Sequence, residues 1–369
     1  MPNFTLHQAA ALRAVADWLK EKPRARGARK VFRLFGYAGT GKTTLAKHIA
    51  ETVNGKVHFA AYTGKAALVM RSKGCTGAAT IHSLIYRARE SGEEIPNFEL
   101  WDDAPASKAK LIVIDECSMV DAELGRDLMS FGVPVLVLGD PAQLPPIQGG
   151  GFFTEAEPDA MLTEVHRQAQ DNPIVRLSME IRAGRSLKPG NYGETQVMQR
   201  DELDPQRVLA ADQVLVGRNA TRRAYNMRIR ERRGFEDILP SKNDKLVCLR
   251  NNRKKGLFNG GLWTVKECVA RKSGVMRMRL LPDEEMGGRS VIVSVRPECF
   301  TGGIEEYDWP RRKPYDEFDY GYVLTVHKAQ GSQWDDVVLF DESFAFQGNR
   351  NRWLYTGVTR AAKRLTIVL

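Results

Sequence analysis

The segment "GYAGTGKTT" at 36–44 carries the spacing G-x4-G-K-T, a pattern built to surround phosphate. Its glycines let successive backbone N–H groups turn inward on phosphate oxygens, and a helix opening at Lys42 adds the positive end of its dipole. In that arrangement Gly36, Ala38, Gly39, Thr40 and Gly41 form the cradle, which Thr44 completes. Lys42 reaches the β and γ phosphates of a nucleotide, and the Thr43 hydroxyl is a ligand for Mg²⁺. Further along, "LIVIDE" at 111–116 ends an apolar run on two carboxylates. Asp115 is placed to hold the Mg²⁺ shell, and Glu116 to orient and deprotonate an attacking water. A water-activating carboxylate beside a phosphate loop separates a hydrolase from a kinase. "GDPAQLPPI" at 139–147 ends another apolar run with Gln143 in a loop, where it either senses a γ-phosphate or stands in an ordinary Pro-rich turn.

These residues need elements to position them, and the apolar pattern supplies them. "KVFRLF" (30–35), "KVHFAA" (56–61), "KLIVID" (110–115) and "VPVLVLGD" (133–140) read as strands buried on both faces, alternating with helical patterns. The economical fold is an α/β parallel sheet covered by helices. Alternation resumes at "DQVLVGRN" (212–219) and again at "YGYVLTV" (320–326), "DDVVLF" (336–341) and "RLTIVL" (364–369), which predicts a second α/β layer. Before that last strand, Trp353, Leu354, Val358 and Ala361 recur at helical spacing, which predicts that Arg360 rides on a closing helix, off its apolar stripe. Between 236 and 313 the texture changes to short alternating pieces separated by Gly, Asn and Pro, as in a small antiparallel β-barrel. A shorter acidic insertion, 86–110, interrupts the first layer. The expected domains are therefore 1–168, 169–235 joined with 314–369, and an inserted 236–313.

Composition narrows the partners. At 369 residues and a net charge of +10, the chain exceeds one ordinary core and favours a polyanion. Basic clusters at 222–233, 250–255 and 311–313 point to nucleic acid. The five cysteines form no CxxC pair, which argues against a zinc site or disulfide framework and fits a reducing cytoplasm. No apolar run approaches the roughly 20 residues of a membrane span, and "MPNFTLHQAA" does not read as a secretory leader.

In order, "GYAGTGKTT", "DECSMVD", "GDPAQLPPI", "LTEVHRQ", "VLTVHKAQGSQWDDV" and "LYTGVTRA" resemble the motifs of superfamily 1 DNA helicases, and most of all the RecD-like and phage Dda-like group that moves 5′ to 3′. The resemblance spans nearly the whole chain. It implies two RecA-like domains with ATP and Mg²⁺ between them, single-stranded DNA across both domain tops, a small β-barrel in the second domain and a pin-like insertion in the first. Gln8 in "FTLHQ" then reads adenine. Arg167, from the edge of the second domain, and Arg360, from the other side, approach the γ-phosphate, and Gly331 lies near the nucleotide. Because those arginines are supplied across a cleft, hydrolysis and closure become one event.

The same resemblance assigns DNA contacts to Thr63 and Lys65 in "AAYTGKAALVM", Thr80 and His82 in "TIHSLIY", and Thr325, His327 and Lys328 in "TVHKAQGSQW". Tyr62 stands where the family more often has proline, which adds an aromatic that could stack on a base. Asn219 and Arg222 in "GRNATRRAYN" would sit on the second domain's part of the track, and Phe98 or Trp101 would be the strand-separating wedge. The implied partners are single-stranded DNA, its junctions with duplex, and replication or repair proteins, engaged by a monomer in a bacterial or phage-infected cell. Alternatives left open are a single-strand translocase, an RNA helicase of the same superfamily and, from another class, a small-molecule P-loop kinase.

Overall fold

A computed structural model describes residues 4–21, 27–88, 98–145, 151–164, 172–252, 255–272, 274–283 and 289–369. Its first lobe is a six-stranded, all-parallel sheet. In spatial order the strands are Ala79–Thr80, Val57–Ala61, Leu111–Asp115, Val135–Gly139, Val31–Gly36 and Ala160–Leu162. The apolar runs are central strands: Leu111–Ile114 and Val135–Gly139 are wholly buried. One face packs on Leu34, Leu45, Ile49 and Leu136 with the helix Leu6–Lys20. The other packs on Phe35, Ile112, Ile114, Val137 and Phe153. Burial on both faces is why these strands read as continuous apolar runs rather than alternating ones.

The second lobe repeats the scheme. Strands Val323–Thr325, Gln213–Val216, Trp334–Phe340, Ala361–Val368 and Thr195–Met198 run parallel, and Gly190–Tyr192 adds an antiparallel edge. The predicted closing helix is shorter than its periodicity suggested. It spans Arg350–Val358, a turn holds Thr359 and Arg360, and Ala361 already begins the last strand. Arg360 therefore sits in a helix-to-strand turn and not on the helix.

The inserted segment forms a five-stranded antiparallel sheet in the order Val291–Val295, Val275–Pro282, Leu262–Lys272, Lys245–Cys248, Phe318–Tyr320. Its fifth strand lies beyond the boundary expected at 313, because Phe318–Tyr320 pairs with Lys245–Cys248 before the chain returns to the second lobe. The two edges meet at a bridge between Val295 and Asp316. In the first lobe Tyr86–Ala88 and Phe98–Leu100 pair as a hairpin; residues 89–97 between them lie outside the described set. No helix among the described residues is long and apolar enough to cross a membrane.

Candidate functional site

The phosphate loop follows the strand Val31–Gly36 and opens the helix Lys42–Thr52, at the carboxyl edge of the parallel sheet where such folds bind ligands. Two of its glycines are required by conformation: Gly39 and Gly41 have φ of 78° and 79°, a region that side chains with a Cβ rarely occupy. Gly36 is required by space, since a Cβ there would lie 2.6 Å from the Thr40 hydroxyl and 2.8 Å from Leu162. The Lys42 ammonium donates to the Gly36 and Tyr37 carbonyls at 2.6 and 3.1 Å, so it folds back over the loop that a phosphate would fill. The Thr43 hydroxyl donates to Asp115 at 3.0 Å. That places two hard oxygen donors together beside the cradle, a set that suits Mg²⁺.

Glu116 follows with φ of 53°, an uncommon backbone for a non-glycine residue and a recurrent one at functional sites. Glu116 lines the cavity. Even so, burial holds its pKa above the ordinary carboxylate value, opposed by the Arg360 guanidinium and reinforced by Asp115. Gln143 is buried, and its Oε1 has no hydrogen-bond partner among the described residues. A buried, unpartnered carbonyl oxygen costs roughly 1–3 kcal/mol, and a ligand in the cavity is the natural group to satisfy it.

Apart from Gly36, which shapes the loop from below, these residues line one cavity of about 500 Å³. Its floor is Ala38 through Thr44 with Asp115, Glu116 and Gln143, and its far wall is Gly331, Ser332, Thr359 and Arg360 from the second lobe. Arg360 is 5% exposed. It donates to the Thr356 and Ser332 carbonyls at 3.0 Å each and to the Thr359 hydroxyl at 3.2 Å, which leaves two of a guanidinium's five donors uncommitted. Gly331 has φ of 73°, and a Cβ on it would meet Ala66 at 2.9 Å; the two lobes touch here, and the glycine permits it. Gln8 is buried and donates to the Thr40 carbonyl at 3.0 Å, while a reciprocal cap with Thr5 fixes its helix. It braces the loop from behind and does not line the cavity. Arg167 lies outside the described residues.

A second cavity, of about 580 Å³, gathers Tyr62, Thr63, Lys65, His327 and Lys328, joined by Asn259 and Gly260 of the inserted sheet. Burial, with Arg222 nearby, lowers the Lys328 pKa. A desolvated ammonium of this kind gains from an anionic partner. Burial also lowers the His327 pKa, and its ring lies 5.3 Å from Phe346. Lys65 is buried with its ammonium 4.4 Å over the Trp334 ring. Thr63 and Thr80 cap the helices Gly64–Ser72 and Ile81–Ile85, and Thr80 lines a neighbouring cavity of about 230 Å³ with Phe258. Thr325 accepts from the Lys328 amide at 3.3 Å. His82 is exposed, with Tyr62 and Tyr86 on either side at 5.9 and 5.8 Å.

Two residues, Arg222 and Trp101, sit differently from expectation. Arg222 is buried and donates to Asp319 at 2.6 Å, an internal ion pair rather than a surface contact, because helix Asn219–Arg232 turns that face onto the sheet. Asn219 starts the same helix and is exposed. Trp101 packs on the first-lobe core at the base of the hairpin, not at a tip. Phe98 pairs through its backbone with Ala88.

Sequence reading missed several residues that join the lobes. The Arg182 guanidinium lies 3.4 Å from the Tyr37 ring centroid. The Thr356 hydroxyl accepts from the Leu144 amide at 2.9 Å, and Gln330 donates to the Leu144 carbonyl at 3.1 Å. Tyr355 reaches both Ala38 and Asp140. The one available signal was a tyrosine and a threonine amid the apolar stripe of "LYTGVTRA".

Two mainly parallel sheets facing each other across a phosphate loop, with Glu116 on one and Arg360 on the other, define a two-lobed P-loop fold. The sequence model of a family described as an AAA domain matches residues 9–199, and that of a UvrD-like helicase C-terminal domain matches 320–368. The first match covers more than half of the 369 residues, and the chain belongs to that family. It is 29% identical to the ATP-dependent RecD2 DNA helicase of Deinococcus radiodurans over 90% of this chain and 46% of that one. It is 32% identical to the ATP-dependent DNA helicase dda of Enterobacteria phage T4 over 41% of this chain and 37% of that one. The chain thus spans less than half the length of these curated relatives. In fold it resembles a Bacteroides Pif1 helicase solved with ADP-AlF3 and single-stranded DNA, with a TM-score of 0.60 and 18% identity over 100% of this chain and 92% of that one. A Pif1 structure at forked duplex DNA gives a TM-score of 0.61 with 19% identity over 99% and 92%.

Proposed function

We propose that this chain hydrolyses ATP in the cleft between its lobes and uses the closure to move 5′ to 3′ along single-stranded DNA and separate duplex. The observation that carries this reading is that one cavity holds Glu116 and the Thr43–Asp115 pair from the first lobe and Arg360 from the second. In the proposed step Glu116 takes a proton from a water whose oxygen attacks the γ-phosphorus, and the bond to the bridging oxygen breaks with ADP leaving. The high proton affinity that burial gives Glu116 suits it to that transfer. Thr43 and Asp115 are the residues that would hold Mg²⁺, which when bound supplies charge neutralisation for the phosphate oxygens. Gln143 is proposed to turn its amide NH₂ to the γ-phosphate, while its unpartnered Oε1 accepts from the attacking water. Lys42 and the two uncommitted Arg360 donors balance the negative charge that grows on the equatorial oxygens. Arg167, which lies outside the described residues, is proposed for the same task.

The second cavity is proposed as the DNA track, with Thr63, Lys65, His327 and Lys328 on phosphates and Tyr62 or His82 against a base. It adjoins the nucleotide cavity through Ser332, which lines both. A closing cleft therefore moves both walls of the track. The insertion carrying the paired strands Tyr86–Ala88 and Phe98–Leu100 is proposed as the wedge, with Phe98 as its aromatic. Soluble cytoplasmic action on single-stranded DNA and its junctions, alongside replication or repair proteins, completes the proposal. The chain is expected to open a 5′-tailed DNA duplex with ATP and to leave its 3′-tailed counterpart closed. Opening only the 3′-tailed form would reverse the polarity, and opening tailed RNA in preference to DNA would replace the substrate.

A further inference from the structure

Tyr355 lies one turn before the Arg360 turn, is 1% exposed and does not line the nucleotide cavity. Its hydroxyl crosses between the lobes. It donates to Asp140 Oδ2 at 2.7 Å and accepts the Ala38 amide of the phosphate loop at 3.1 Å. Both partners line the cavity. Asp140 also shapes the Gln143 loop, since its Oδ1 accepts from Ala142 at 3.0 Å and its carbonyl from Gln143 at 3.1 Å. On the other side, the Tyr355 carbonyl accepts the Thr359 amide and hydroxyl, at 3.0 and 2.9 Å. Thr359 Oγ1 in turn accepts from Arg360. One residue thus touches the phosphate loop, the Gln143 loop and the turn that carries Arg360.

We infer that Tyr355 is a positioning residue: its hydroxyl latches the second lobe onto the phosphate loop and the Asp140 loop, so that Arg360 and Gln143 reach their working places together. Neighbouring contacts support a latch over a chance approach. Thr356 and Gln330 hold Leu144, one residue past Gln143, from the same lobe. A carboxylate behind the cavity wall needs a donor to stay charged there. Burial and the adjacent Asp140 keep the phenol protonated, so it remains that donor across the working pH range. The hydroxyl is what matters, because the ring is held separately by apolar neighbours.

This inference rests on the ATP-hydrolysing part of the proposed function and not on strand separation. The test is Tyr355→Phe, which keeps the ring and removes both hydrogen bonds. Loss of a hydrogen bond to a buried charged group in the aligned state predicts a fall of about 10- to 100-fold in ATP turnover at saturating nucleotide. ADP affinity, read by fluorescence titration, is expected to match the parent, because Ala38 is one of several cradle donors, and the melting temperature to fall by only the few degrees that one lost buried hydrogen bond costs. Turnover equal to the parent's overturns the latch. A parallel loss of turnover, ADP affinity and melting temperature also overturns it, by making Tyr355 a purely structural residue. Tailed-duplex unwinding by the parent is measured alongside. A parent that hydrolyses ATP without opening duplex contradicts the helicase reading and leaves the latch standing or falling on the turnover of Tyr355→Phe.

Discussion

Replacing Arg360 with alanine is expected to lower ATP turnover by about 10³- to 10⁵-fold, the range for an arginine that meets transition-state charge from outside the phosphate loop. Nucleotide binding is expected to persist, since the cradle, Lys42 and Thr43 all belong to the first lobe. The guanidinium also holds Ser332 and Thr356, so Arg360→Lys serves as a companion that keeps the charge without the planar fork. Both variants are expected to bind ADP like the parent in an equilibrium titration and to fail in single-turnover hydrolysis. An Arg360→Ala chain that hydrolyses ATP at the parental rate would return this side chain to a role in bracing its own turn.

The second large effect is expected at Glu116. Glu116→Gln preserves shape and removes the proton acceptor, which predicts a loss of about 10²- to 10⁴-fold in turnover. Its signature differs from that of a folding defect. Burial raises the Glu116 pKa in the folded chain, so the ionised form is disfavoured by folding at neutral pH. A neutral amide relieves that cost. The variant is expected to melt at or above the parental temperature, to bind ATP and to hydrolyse it very slowly. Turnover near the parent's would require another residue to take the proton from water.

How much of this was legible in the sequence depended on whether the information was local. The phosphate loop was, because glycines at fixed offsets encode a backbone shape that Gly39 and Gly41 adopt. The central strands were legible because burial on both faces leaves a continuous apolar run. The position of Arg360 was legible only in part. Helical periodicity carried the helix three residues too far, since Ala361 is buried equally well as the first residue of a strand. Arg222 showed the opposite failure. Its basic neighbours read as part of a nucleic-acid track, but its partner Asp319 is 97 residues away, beyond any local pattern. Trp101 looked like a wedge by residue type, yet its place at the hairpin base follows from packing on the first-lobe core. Tyr355 was invisible for the same reason, as both of its partners come from the other lobe.

The proposed function requires that one cleft join the nucleotide cavity to the second cavity, lined by Thr63, Lys65, His327 and Lys328. The most direct test is the steady-state ATP turnover of the chain as single-stranded oligodeoxynucleotide is added at low salt. Turnover is expected to rise to a plateau, and the oligonucleotide concentration needed is expected to increase steeply with salt, as phosphate contacts by cations require. Turnover that stays flat across the titration, with the oligonucleotide shown to be bound, would contradict the coupling of the two cavities.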